Sequence, residues 1–237
     1  ISINEYCDAN HDLEGQPGSS ARFIGKFERY KVESATITWW FVPHPGRLGS
    51  LLASDNQKGA GWYFYQWYGD MTGDMVNVSP PNDNSKFVDG AACVDSDKEY
   101  VSFIFGGPND GSIRVVIKNI PSFIGSVANV KAEKIDWRSK DTPSNGPNTI
   151  FQKAFNVANG QITVDITGTN DSSGYRIYIT KGDGSAPVED QGQGQGSQSS
   201  SSSYEGKYNI INRNSGKVLS VQNDSTANGA NVNQWSD

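Results

Sequence analysis

Glu5 stands between Asn4 and Tyr6 in the opening run ISINEY and is the side chain here best suited to chemistry. The run is short and β-type, and in a parallel barrel the C-terminal ends of strands face the reacting centre. A carboxylate placed there could attack an anomeric carbon while a second, protonated carboxyl about 5 Å away delivers a proton to the leaving oxygen. Asn4 and Tyr6 could donate hydrogen bonds, which would keep Glu5 ionised. The competing reading is an exposed strand-end carboxylate with no chemical task. Trp39 and Trp40 end the next β-type run. Sugar rings present apolar C–H faces that stack on aromatic surfaces, so one of the two tryptophans could floor a subsite beside Glu5. Successive strand residues face opposite ways, so the other must pack into the interior.

The elements that must position these residues follow from periodicity. Residues 7–18 form a polar loop rich in Asp, Asn, Gly and Pro. A helix should follow, with Ser19 or Ser20 as its N-cap and Phe23, Phe27, Tyr30 and Ser34 on one face. Residues 35–41 (ATITWWF) are β-branched and aromatic, hence a buried strand. A second helix is expected within 61–71, where Phe64, Trp67, Tyr68 and Met71 make one apolar stripe. This order is that of two consecutive βα units in a parallel barrel.

From residue 75 the period changes from 3.6 to 2. Runs such as MVNVS, KFVDGAACV, YVSFIFG, IRVVIKNI, VKAEKIDW, ITVDITG and YRIYIT alternate with Gly, Pro, Asn and Asp clusters. That pattern predicts an antiparallel β-sandwich over 75–181. Residues 182–203 carry almost no apolar side chains, so they read as a flexible, disordered linker. Residues 204–237 hold four short strand-like runs with Asn-Ser-Gly and Ala-Asn-Gly turns, too little to close a core alone. The expected fold is therefore multi-domain: barrel βα units over 1–74, a sandwich, a linker and part of a further β module.

Lys plus Arg number 20 against 26 Asp plus Glu, a net charge of -6. No basic surface is available to neutralise a phosphate backbone, so nucleic acid is not an expected partner. No run approaches about 18 apolar residues, so a membrane span is not expected. The 26 glycines and the mean hydropathy of -0.58 suit a strand-rich extracellular fold. His11 and His44 lack spaced ligand partners, so neither metal nor cofactor is expected. A disulfide between Cys7 and Cys93 is compatible with secretion, but two independent thiols is the preferred reading. The chain begins without Met and stops after NQWSD with no cap or closing strand, so it reads as a piece of a longer, monomeric protein.

The residues also carry two resemblances. ISINEY, the helix ARFIGKFERYKVESA, the strand ATITWW, and GRLGSLL followed by GWYFYQWYGDMTG resemble the seventh and eighth βα units of a clan A (β/α)8-barrel glycoside hydrolase, family 39-like. That resemblance implies Glu5 as nucleophile, Trp39 or Trp40 lining the subsite, and a β-sandwich appended to the barrel. It also implies a general acid/base Glu on the fourth barrel strand, which has no counterpart here, so this piece alone should be inactive. The tail KYNIINRNSGKVLSVQNDSTANGANVNQW resembles a ricin B-type β-trefoil lectin repeat. In it Leu219 and Trp235 match core positions, Asn233 stands where Gln is usual, and Ser220 replaces the family's sugar-binding Asp. Both resemblances imply a secreted protein with polysaccharide or glycan as partner. The alternative is a carbohydrate-binding lectin without catalysis.

Overall fold

The computed structural model of the chain describes residues 1–7, 13–38, 51–82, 88–108, 110–184, 188–189, 217–221 and 232–235, with backbone alone for 188–189, 218–221 and 232–235. Trp39, Trp40, His11, His44 and most of the expected linker lie outside the described residues. The chain divides into two compact units, Ile1–Gly192 and Gln193–Asp237.

The first unit opens with β1 (Ser2–Tyr6), α1 (Pro17–Arg29), β2 (Ser34–Ile37) and α2 (Ala60–Gly69). β1 and β2 pair in parallel across the α1 crossover, which is the βα order expected from periodicity. α1 starts earlier than expected. Its N-cap is Gln16, and Pro17 occupies the first turn, where a fixed φ and a missing N–H are tolerated. Ser19 and Ser20 are therefore not caps; both are buried inside the helix.

α1 has two working faces rather than one. Phe23 and Phe27 lie 5.0 and 4.9 Å, centroid to centroid, from the Tyr6 ring of β1. Tyr30, expected on that stripe, is 63% exposed, and Ser34 has already joined β2. On the opposite side Gly18, Ala21, Ile24 and Gly25 are buried. That second face packs on the sheet that follows.

The sheet is built from β3 (Asp74–Val76), β4 (Asp89–Asp95), β5 (Tyr100–Gly106), β7 (Val127–Ile135), β8 (Asn148–Asn156), β10 (Gly174–Lys181) and β11 (Val188–Glu189), in the order β11-β8-β7-β10-β5-β4-β3. Pairings are antiparallel except β11 on β8. β6 (Gly111–Lys118) and β9 (Gln161–Thr169) pair with each other as a second layer. Ile162, Val164 and Ile166 of β9 meet Val101, Phe105, Val130, Tyr175, Ile177 and Ile179 in the core between the layers. β8 breaks clean alternation because most of it is exposed, so its sequence signal is weak. Val188 and Glu189, expected within the flexible linker, instead pair with Ala154 and Phe155 of β8. No disulfide forms: Cys93 is a buried thiol on β4, and Cys7 is likewise unbridged.

The other face of the large sheet is covered by the two helices. Ala21, Ile24, Ala60, Phe64 and Trp67 pack against Ala91, Ile104 and Ile135, which makes three layers: helices, sheet, β6–β9. The approach is close enough to require glycine. A Cβ on Gly18 would sit 1.8 Å from the Asp171 carbonyl oxygen, and one on Gly106 only 2.8 Å from the Gly18 Cα. Two ion pairs lock this contact. Arg29 at the end of α1 holds both oxygens of buried Asp89 on β4, at 2.6 and 2.8 Å. Arg176 on β10 donates to Glu133 on β7 at 2.8 and 2.5 Å while its guanidinium lies 4.8 Å from the Trp67 ring of α2.

In the second unit β12 (Val218–Val221) and β13 (Val232–Trp235) form an antiparallel pair. The register sets Leu219 opposite Gln234, Ser220 opposite Asn233 and Val218 opposite Trp235.

The glycine contact and the Asp89 ion pair each make a test. Gly18→Ala improves helix propensity by about 1 kcal/mol, yet the backbone collision should reverse the sign and destabilise the Ile1–Gly192 unit by about 2 kcal/mol in urea unfolding. Arg29→Met leaves Asp89 buried without its main partner and should lower stability by about 3 kcal/mol. The double change Arg29→Met with Asp89→Leu should recover most of that loss. A double mutant no more stable than Arg29→Met alone would contradict the pairing.

Candidate active site

The end of the parallel strand pair carries an irregularity that decides where its side chains go. Ile3 pairs with Ala35 and Tyr6 with Ile37, so three steps along β1 match two along β2. One extra residue is inserted, a β-bulge, with Asn4 and Glu5 opposite Thr36. Paired residues in parallel strands share a face, so Ile3, Tyr6, Ala35 and Ile37 lie together, and all four are partly buried. Neighbours along a strand point oppositely. Asn4, beside Ile3, and Glu5, beside Tyr6, therefore both fall on the other face, where both are exposed, as is Thr36. Without the insertion one of the two would turn toward the helices.

Which face holds the helices is settled by Tyr6. Its ring is set against Phe23 and Phe27 of α1, and its hydroxyl shares a 2.6 Å hydrogen bond with Tyr65 of α2. Asn4 and Glu5 thus look away from the helix layer, toward the side that is the interior in a parallel barrel. Tyr6, expected beside Glu5 as a substrate contact, packs instead on Phe23 and Phe27 and bonds to Tyr65. Its side chain is on the opposite face, because the bulge lies before it rather than after it.

Behind β1 the phenols form a desolvated chain. Burial raises Tyr6 well above the ordinary tyrosine range, reinforced by the nearby Tyr65. Burial likewise raises Tyr65, which also bonds to Ser20 of α1. Tyr68 is raised by burial and by its donation to the Glu28 carboxylate. These groups stay protonated at neutral pH and act as hydrogen-bonding props, not as acids or bases. Ser20 and Tyr65 could not be singled out from sequence, since their partners are 45 to 59 residues away in the chain.

Other reactive groups are committed to structure. Burial pushes the Cys93 thiol up, the opposite of what a nucleophilic thiol needs. Asp95 accepts from Thr72 Oγ1 at 2.5 Å and from the backbone N–H of Lys98 and Asp97, which hold its carboxyl below the usual range. A groove of about 920 Å³ runs between residues 76–81 and β6. Its walls are mostly aliphatic, with Val76, Val94, Val101, Ile113 and Val115, and the carboxylate of the lining residue Asp89 is engaged by Arg29 of α1. It offers no chemistry of the kind the strand ends do. Of the residues expected to act, Asn4 and Glu5 are brought together; Trp39 and Trp40 lie outside the described residues. The side chains of Leu219, Asn233 and Trp235 are also undescribed, although their strands pair.

Comparison with known proteins gives this geometry a context. The chain is 27% identical over 193 residues to a 3-O-alpha-D-galactosyl-alpha-L-arabinofuranosidase of Bifidobacterium longum subsp. longum, covering 76% of this chain and 16% of that protein. It is 25% identical over 196 residues to a 3-O-beta-L-arabinopyranosyl-alpha-L-arabinofuranosidase of Bifidobacterium pseudocatenulatum, covering 76% of this chain and 20% of that one. The chain thus spans a fifth or less of the length of these curated relatives, which are glycoside hydrolases. Among solved structures, N2152 from Neocallimastix frontalis matches with a TM-score of 0.74 and 78% identity, over 77% of this chain and 45% of that one. A GH39 enzyme from Xanthomonas axonopodis pv. citri shares the fold at a TM-score of 0.50 and 12% identity, over 75% of this chain and 44% of its own. Residues 111–235 match the ricin-type beta-trefoil lectin domain-like family, a span that runs from β6 to β13 and so includes sandwich strands as well as the tail. That match covers more than half of the sequence, and the chain belongs to the ricin-type β-trefoil lectin domain-like family.

Proposed function

We propose that this chain supplies the last two βα units, the buttressing sandwich and a lectin module of a secreted, retaining glycoside hydrolase of the family 39 type. Its substrate class is a polysaccharide or glycoconjugate bearing α-L-arabinofuranosyl linkages. The observation that carries the reading is the β1 bulge, which turns Asn4 and Glu5 together onto the face away from the helices at the C-terminal end of a parallel strand pair. A carboxylate and an amide presented side by side suit a nucleophile and a donor that keeps it ionised. The curated relatives, named as arabinofuranosidases, support the substrate class.

In this reading Glu5 attacks the anomeric carbon, and a general acid/base on an earlier barrel strand protonates the departing oxygen and later activates water. Trp39 or Trp40 floors the subsite. The proposed boundaries are barrel units over 1–74, a sandwich over 75–181, a connecting segment over 182–203, in which Val188 and Glu189 pair with β8, and a lectin repeat from 204. A glycan-binding module on the same chain raises the effective concentration of scissile bonds near the barrel by holding the glycan close.

A second reading, a glycan-binding lectin without catalysis, draws on the family match over 111–235. One comparison separates the two. In the full-length protein, Glu5→Gln should lower turnover of an aryl α-L-arabinofuranoside on the order of a thousandfold or more, with glycan binding unchanged. Turnover equal to wild type removes Glu5 from the mechanism. Absence of any turnover in the wild type, with glycan retention intact, favours the lectin.

A further inference from the structure

The bulge that aims Glu5 is closed by a residue with no assigned role. The carbonyl oxygen of Tyr6 accepts two hydrogen bonds from Thr38, one from its backbone N–H at 3.1 Å and one from its side-chain Oγ1 at 2.9 Å. The first continues the ladder between β1 and β2. The second does not belong to a ladder, and it fills the remaining lone pair of that carbonyl. Thr38 is 7% exposed, so its hydroxyl is removed from water and its bond to Tyr6 is worth more than a surface contact.

A bulge is a local flaw in the ladder: the extra residue has no backbone partner, and the strand there is free to relax into a regular register. Relaxation by one residue would carry Glu5 to the helix face. Three restraints oppose this. Ile3 is paired to Ala35 below the bulge, the Tyr6 side chain is pinned by Tyr65, Phe23 and Phe27, and the Tyr6 carbonyl is held by both donors of Thr38. Two of them act on Tyr6, the residue immediately after Glu5.

We propose that Thr38 is a positioning residue for Glu5: its hydroxyl clamps the downstream end of the β1 bulge and so fixes the direction of the carboxylate. This rests on the reading of Glu5 as the nucleophile. Thr38 does not touch substrate in this scheme; it acts through the Tyr6 carbonyl.

The test uses the full-length protein, an aryl α-L-arabinofuranoside, and the variants Thr38→Val, Thr38→Ser, Thr38→Ala and Glu5→Gln. Thr38→Val keeps the shape and removes the donor. It should lower kcat by on the order of 10- to 100-fold, with KM within about twofold of wild type, because misplacement by about 1 Å costs that much. Thr38→Ser keeps the donor and should restore kcat to within about threefold of wild type, a rescue a merely structural role does not require. If Thr38→Val does not fold, judged by its melting transition, the Ser and Ala variants decide between them: equal kcat for the two overturns the proposal. Unchanged kcat in a folded Thr38→Val overturns it also, provided Glu5→Gln is inactive. If Glu5→Gln turns over normally, the underlying reading fails first, and the clamp falls with it.

Discussion

Burial of Asp89 is the constraint on which the arrangement of the first unit turns. A carboxylate that is nearly inaccessible on β4 needs a charged partner, because an unpaired buried charge is strongly unfavourable. Arg29 meets it with a two-pronged contact that a planar guanidinium can make and an ammonium cannot. The pair therefore fixes the last turn of α1 over β4. Gly25 makes room for it, since a Cβ there would lie 2.3 Å from Asp89 Oδ1. Near the other end of α1, Gly18 lies against Gly106 and the Asp171 carbonyl. The helix is thus pinned at both ends against the sheet, and its remaining freedom is small.

That placement carries through to the strand ends. The side of α1 away from the sheet presents Phe23 and Phe27 to Tyr6, and α2 presents Tyr65 to the same residue. α2 is in turn held by Trp67 against Arg176, whose charge is balanced by Glu133. Each aromatic contact contributes about 0.5–1.5 kcal/mol beyond its area, and a cation–π contact out of water somewhat more. Together they make β1 rigid relative to the sandwich. The large sheet thus backs the helix layer on which Tyr6 of β1 rests.

The bulge converts this rigidity into direction. A regular β1 would place Asn4 and Glu5 on opposite faces. With one inserted residue both share the face away from the helices, while Tyr6 returns to the helix side as an anchor. The exposed Glu5 and the anchored Tyr6 are thus adjacent residues. Thr38, the residue just after β2, places two donors on one carbonyl oxygen, that of Tyr6.

Much of the order of elements could be read from residues alone. The 3.6-residue stripe of α2, the βα alternation of the first part and the period-2 runs of the sandwich are local steric and hydrophobic patterns, set within windows shorter than about 18 residues. That residue 5 lies near the end of a β-type run was legible on the same local grounds. What lay beyond the sequence was decided by partners far along the chain. The second face of α1 depends on Asp89, sixty residues from Arg29; the start of α1, by contrast, is marked locally by Pro17 in its first turn. The pairing of Val188 and Glu189 depends on the free edge of β8. Above all, the facing of Asn4, Glu5 and Tyr6 depends on the register between β1 and β2. A strand's side-chain period is two, so one inserted residue reverses every face beyond it, and no local pattern records on which side of the insertion a residue falls.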